Sequence, residues 1–233
     1  MNILAIDTAT EYLSLALNAG DKTSTIFKKV DNKHSNNIIP CIQQILKEQN
    51  LAISDLNFIA YNQGPGSFTG LRIGLSVALG IAYGLDIKLM PIPAFMLHAA
   101  KFLTKNLEPR RILVGLDARL GQMYYAGVSL PEFSYFIPPQ LINPQDICMS
   151  DDVTLCGNGF EVYNNQLPAE IVSCPSREDW NPESNNYPGA KYMINLASSG
   201  KFKVIDPAHA ELLYLRNKVA LNLEEQKLVK STK

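Results

Sequence analysis

The sequence predicts an α/β protein with a mixed sheet. Three observations carry this: alternating strands joined by tight turns at the start, apolar-striped helices between later strands, and a second strand cycle after residue 110.

Residues 3–6 (ILAI) form a short apolar run ending at Asp7, and residues 12–17 (YLSLAL) have a period-two pattern. NAGD at 18–21 marks a turn and a third strand follows near 23–28, so the first three strands form an antiparallel meander. A helix over 35–49 places Ile38, Ile42, Ile45 and Leu46 at helical spacing, with Ile39 and Cys41 widening the stripe. Ser35, Asn36 or Asn37 is its candidate cap, and Pro40 fits only within the first turn or so. FIAY at 58–61 reads as a buried strand, and QGPGSFTG links it to a second helix over 69–84. A short strand over 87–90 and a helix from PIPAF toward residue 103 complete the first cycle.

The second cycle opens at Arg111. ILVGLD at 112–117 resembles ILAID at 3–7 with one residue inserted, and a turn and a strand over 123–128 follow it. This suggests an internal duplication; apolar strands ending in Asp are common, so coincidence stays open. After Pro138 the pattern loosens, residues 174–188 form a Pro/Asn/Ser-rich loop, and an amphipathic helix is expected over about 208–223.

Bulk properties narrow the function. The 233 residues suffice for one large domain or two small ones. Charged residues are 18% of the chain, below the roughly 25% usual for soluble domains, so more surface than usual should be buried or covered by a partner. A net charge of -1 argues against strong nucleic-acid binding by the chain alone, since that rests on a basic patch. The mildly basic tail from Arg216 to Lys233 reads as a solvated helix end. No signal peptide is visible, and the apolar run over 71–85, interrupted by Arg72 and Ser76, falls short of a bilayer span. Cys41, Cys148, Cys156 and Cys174 have no metal spacing and read as reduced thiols, so a cytoplasmic protein is expected.

QGPGSFTG raises a choice between a phosphate cradle and a packing device. A turn before a helix presents backbone N–H groups to an anion. A P-loop, however, needs lysine after its last glycine, where Leu71 stands, and GxGxxG needs glycine at Thr69. Turn geometry is therefore preferred, with positive φ expected at Gly66. In the helix that follows, Gly70, Gly74, Ala78 and Ala82 lie on one stripe and Ser76, Gly80 and Gly84 on a second. Two small stripes allow two close neighbours, the sheet and either another helix of this chain or a partner.

Chemistry-bearing motifs are sparse. No nucleophile motif is present. His34 has Ile38 four residues on, where a helical metal pair needs a second ligand, so His34 reads as a helix-start residue and no metal is expected. Asp7 ends the first strand where actin-like ATPases carry an Asp before a Gly-Thr phosphate loop, but Ala9 occupies the glycine position. Asp7, Thr10 and Asp117 are the nucleotide-binding candidates, with strand-end capping the alternative for Asp7.

ILAIDTAT, the HS before the first helix, GPGSFTGLRIG, VGLDAR and LLYLRNKVA resemble the TsaB (YeaZ) family of tRNA threonylcarbamoyladenosine biosynthesis. The resemblance runs from the first strand to the closing segment and is weakest over 130–205. It implies an ASKHA (actin/Hsp70-like) fold of two RNase H-like lobes, here 1–104 and 105–233, with the last helix packing back on the first lobe. It implies a non-catalytic scaffold for TsaD, the transferase acting on adenosine 37 of tRNAs that decode ANN codons. TsaD carries a metal-binding HxxxH; this sequence keeps the first histidine alone, as His34. Pairing is implied through the first two helices, with Ser35, Ile38, Ile42, Ile45, Gly70, Gly74 and Ala78 as the expected interface. The ATPase TsaE would join the assembly, and the chain alone would homodimerise through the same surface. No cofactor is expected on the chain alone, with ATP or ADP left to the level of the complex, tRNA contacted only indirectly and no membrane involved. The rival readings are an ATP-binding, sugar kinase-like protein and a metal-dependent glycoprotease of the peptidase M22 type.

Overall fold

The computed structural model describes residues 1–31, 33–102, 110–148, 152–176 and 189–216. Strands β1 (Asn2–Asp7), β2 (Tyr12–Ala19) and β3 (Lys22–Lys29) form the expected antiparallel meander. Helix α1 (His34–Glu48) follows, then β4 (Phe58–Gly64), α2 (Phe68–Leu85) and β5 (Lys88–Pro93), with β4 and β5 parallel to β1. The five strands lie in the order β3-β2-β1-β4-β5. After α3 (Ala94–Ala100), strands β6 (Arg110–Asp117), β7 (Met123–Leu130), β8 (Ser134–Ile142) and β9 (Val153–Cys156) form a second sheet in the order β8-β7-β6-β9. Again three antiparallel strands carry a parallel fourth beside the first. The two sheets thus share one topology, which is the duplication suggested by the two Asp-terminated strands. Short helices α4 (Gly159–Val162) and α5 (Ala169–Val172) lead toward α6 (Ala190–Ser198).

Side-chain alternation sets the layers. Along β1, Leu4 and Ile6 face the layer of α1 and α2, while Ile3 and Ala5 face α3 and α6 between the two sheets. A third cluster, with Leu113, Met123, Leu155 and Phe160, closes the far side of the second sheet. Ser14 turns inward on β2, where its hydroxyl accepts the Ala190 N–H at 2.9 Å and so seats the start of α6 on the first sheet.

Three expectations need correction. Pro40 lies in the second turn of α1, not the first. The carbonyl its missing N–H leaves free, that of Asn36, belongs to an exposed residue, so it is open to solvent. Next, α2 has 18 residues and a mean hydropathy of 1.4, enough by length and composition to cross a bilayer. Its ends nevertheless join adjacent parallel strands of one sheet, and Gly70, Leu71, Gly74, Ala78 and Ala82 are buried against that sheet, so it is a sheet-packing helix. Finally, residues 208–216 do not form the expected last helix: a 3₁₀ turn, Pro207–His209, gives way to an extended strap. The rest of the expected helix, 217–223, lies outside the described residues.

That strap does return to the first lobe. Ile205 pairs with Leu89 on the edge of β5, Lys88 meets Asp206 at 2.9 Å, and the Tyr61 hydroxyl donates to the Glu211 carbonyl at 2.9 Å. The Leu213 N–H donates to the Gln63 carbonyl at 2.8 Å, and Arg216 then reaches the second lobe, donating to the Ala118 and Arg119 carbonyls.

Candidate functional site

Asp7 and Asp117 end the first strand of each sheet, and each closes the same local turn. The Asp7 carboxylate accepts the N–H of Ala9 at 3.0 Å, and that of Asp117 accepts the N–H of Arg119 at 2.8 Å. An asparagine from the parallel neighbouring strand, within the end of β4 or just past β9, supports each: Asn62 Nδ2 donates to Asp7 Oδ1 at 2.9 Å, and Asn158 Oδ1 accepts the Asp117 N–H at 3.0 Å. Tyr163 and Arg119 complete the Asp117 group at 2.6 and 3.3 Å. Asp7 is fully buried, and loss of hydration pushes its carboxyl up to about 6 despite these two hydrogen bonds.

Between the lobes lies a cleft of about 650 Å³ whose walls include Thr10, Lys29, Ser67, Asp117, Arg119 and Asn158. Thr10 and Asp117 therefore face the same space, while Asp7 sits beneath it and does not line it. The glycine loop forms one rim. Some of its N–H groups are occupied: Ser67 N–H donates to the Ala9 carbonyl at 2.7 Å, Leu71 N–H to the Ser67 carbonyl, and Gly70 N–H to the Ser67 hydroxyl that caps α2, whereas those of Gly66, Phe68 and Thr69 meet no acceptor among the described residues. The positive φ falls at Gly64 (+100°) and not at Gly66. Gly66 is required for closeness instead, since a Cβ there would stand 2.7 Å from that of Ala9. Gly157 repeats the Gly64 conformation at +103° after β9.

The expected partner residues divide sharply. Ile38, Ile42, Ile45 and Ala78 are buried in the core of the first lobe, and Gly70 and Gly74 are closed off by the first lobe as well. A Cβ on Gly70 would stand 2.0 Å from the Thr8 carbonyl, and one on Gly74 would stand 2.3 Å from the Thr8 hydroxyl. Of the seven, Ser35 alone is exposed. The first small stripe therefore faces β1, and these six residues are buried within the chain itself, with Ile38 also at the floor of the groove between α1 and α2. The second stripe, Ser76, Gly80 and Gly84, is exposed, and a Cβ on Gly80 or Gly84 would meet nothing within 4 Å. Beside it, Ile39, Phe68, Ile73 and Val77 line an open groove between α1 and α2. His34 sits under this surface, buried, with Nε2 3.2 Å from the Tyr12 carbonyl. Among the described residues no three His, Cys, Asp or Glu side chains converge in a metal-ligand cluster.

A family model described as TsaD, tRNA N6-adenosine threonylcarbamoyltransferase, matches residues 28–220. The Escherichia coli "tRNA threonylcarbamoyladenosine biosynthesis protein TsaB" is 31% identical, with 94% of this chain and 96% of that protein aligned. The chain belongs to the TsaB family, within the wider TsaD-related group that the model describes. The Haemophilus influenzae TsaB protein is 27% identical over 94% of this chain and 95% of its own length. In structure, a Pseudomonas aeruginosa protein described as similar to the peptidase YeaZ superposes with a TM-score of 0.78 at 23% identity, over 92% of this chain and 99% of that one. That likeness carries the fold, and together with the TsaD family match it fits an actin/Hsp70-like arrangement. TsaB membership thus agrees with the motifs GPGSFTGLRIG and VGLDAR, which form the glycine rim and the second lobe's first strand and turn. The signal that sequence reasoning missed was the outward face: Ile73 and Val77 read there as part of one continuous apolar run, and Phe68 as part of the glycine loop.

Proposed function

We propose that this chain is a non-catalytic partner of a TsaD-type transferase in the formation of N6-threonylcarbamoyladenosine in tRNA, docking through the groove between α1 and α2. The observation that carries this reading is the uncovered apolar face of α2 on a chain of the TsaB family. Ile39 is 45% exposed and Tyr83 63% exposed, and Ser76, Gly80 and Gly84 leave room for a helix to approach closely. Continuous apolar surface of this kind is characteristic of protein interfaces. The chain alone homodimerises through the same groove and exchanges its second copy for the transferase. The ATPase TsaE joins the pair, ATP or ADP is engaged at the level of that complex, tRNA is contacted only through it, and the assembly is cytoplasmic.

Reconstitution tests the reading. ATP, threonine, bicarbonate, an ANN-decoding tRNA, the adenylate-forming enzyme, TsaD and TsaE are combined with and without this chain, and the modified nucleoside is quantified by mass spectrometry. Product that requires this chain, and is absent when TsaD is omitted, is the expected result. Product formed equally without it would refute the scaffold role.

A further inference from the structure

Among the described residues lining the α1–α2 groove, Arg72 is the one that carries charge; none is acidic. Its guanidinium lies 3.5 Å from the centroid of the Phe68 ring and 5.6 Å from that of Tyr214. No carboxylate pairs with it among the described residues. Both rings are themselves open, Phe68 at 42% and Tyr214 at 45% exposure. Tyr214 is held in place from either side, by the Leu213 hydrogen bond to Gln63 and the Arg216 hydrogen bonds to Ala118 and Arg119. An arginine stacked in this way has already lost much of its side-chain freedom, while its N–H edge stays available to a planar anion. Arginine and tyrosine at the edge of an apolar groove are also the residue types that dominate interface energetics.

We propose that Arg72, braced by Phe68 and Tyr214, receives a carboxylate on the apolar helical face of the TsaD-type partner. This deepens the function proposed above and rests on it. The partner's docking surface thus reaches past α1 and α2 onto the C-terminal strap. A second copy presenting the same groove brings no acidic lining residue to Arg72, so the contact belongs to the transferase pair more than to the homodimer. Tyr214 acts as a positioning residue, holding the guanidinium flat.

The test is calorimetric titration of the full chain with the TsaD-type protein of the same organism, beside sedimentation of the chain alone. Arg72→Glu is expected to weaken the heterocomplex by about 30-fold or more, as loss of a desolvated charge contact does, with self-association changed less than threefold. Arg72→Lys keeps the charge without the planar fork and falls between. An Asp or Glu→Lys change at one position on the partner's helical face should restore the binding of Arg72→Glu at least tenfold. Thermal unfolding of Arg72→Glu at the wild-type midpoint checks that the exposed substitution leaves the fold intact, and Arg72→Gln provides a second variant. Heterocomplex affinity within threefold of wild type for Arg72→Glu and Arg72→Gln would overturn the inference and leave the proposed function standing. Equal losses in self-association and heterocomplex would overturn it too, assigning Arg72 to contact between copies. So would Arg72-dependent binding to phosphatidylserine vesicles. No binding by the wild-type chain would overturn both readings.

Discussion

Asp7 and His98 show how burial dominates titration at two buried groups of this molecule. Asp7 is raised to about 6, chiefly by desolvation, so the folded state holds its proton more tightly than the unfolded chain does. Its carboxylate therefore opposes folding fully above about pH 6, and the opposition fades as pH falls from 6 toward 4. Asp7→Asn keeps the acceptor oxygen for Ala9 and Asn62, and at pH 7.5 it should stabilise the chain by about 2–3 kcal/mol. Urea unfolding from pH 4 to 8 should show that gain vanishing near pH 4. His98 has the opposite sign: burial, with Lys101 nearby, lowers it to about 3, so its stabilising contribution is full above pH 6.5 and is lost as pH falls toward 3. The two slopes oppose each other in the wild type, and Asp7→Asn should expose the histidine's. That Asp7 ends a strand was legible from ILAID; that it lies below the cleft, with Thr10 and Asp117 lining it, required the chain's folding around Ala9.

At the scale of the element, α2 carries glycines of two kinds. Gly74 is closed against Thr8, and substitution there must push the helix off β1. Gly74→Leu should therefore unfold or strongly destabilise the chain, by about 3 kcal/mol or more. Gly80 faces open space within the helix, so Gly80→Ala should stabilise the isolated chain by about 0.8–1 kcal/mol. Gly80→Leu should leave the fold intact and weaken association by filling the approach to the outward stripe. Chemical denaturation and sedimentation velocity of the three variants separate the two kinds. The positions of both helices were legible from their periodicity, yet which stripe meets the sheet was not. On α1, Ile38, Ile42 and Ile45 form the better apolar stripe, and the core claims it. A helix apolar around most of its circumference, as α2 is, carries no directional signal in its composition.

For the whole molecule, the expected closing helix is informative because its described part, 208–216, is extended for a geometric reason. Residues 205–216 run along the seam between two clusters, with Ala210 and Leu212 packed on one and Leu213 and Leu215 on the other. Apolar residues drawn to both sides of an extended segment imitate the spacing of an amphipathic helix. The two lobes were foreshadowed by their Asp-terminated strands, whereas the strap depends on contacts more than a hundred residues apart, such as Tyr61 with Glu211. The same strap has a bearing on solubility. The Leu89–Ile205 bridge occupies backbone groups on the rim of β5, Ser176 accepts the Leu155 N–H on the rim of β9, and Pro138 and Pro139 interrupt β8. β3, the remaining outer strand, carries Lys22, Lys28 and Lys29. Each rim is thus guarded against strand addition by another molecule. Truncation before Ile205 should unmask β5, and thioflavin-positive aggregates should then form at concentrations where the full chain stays clear.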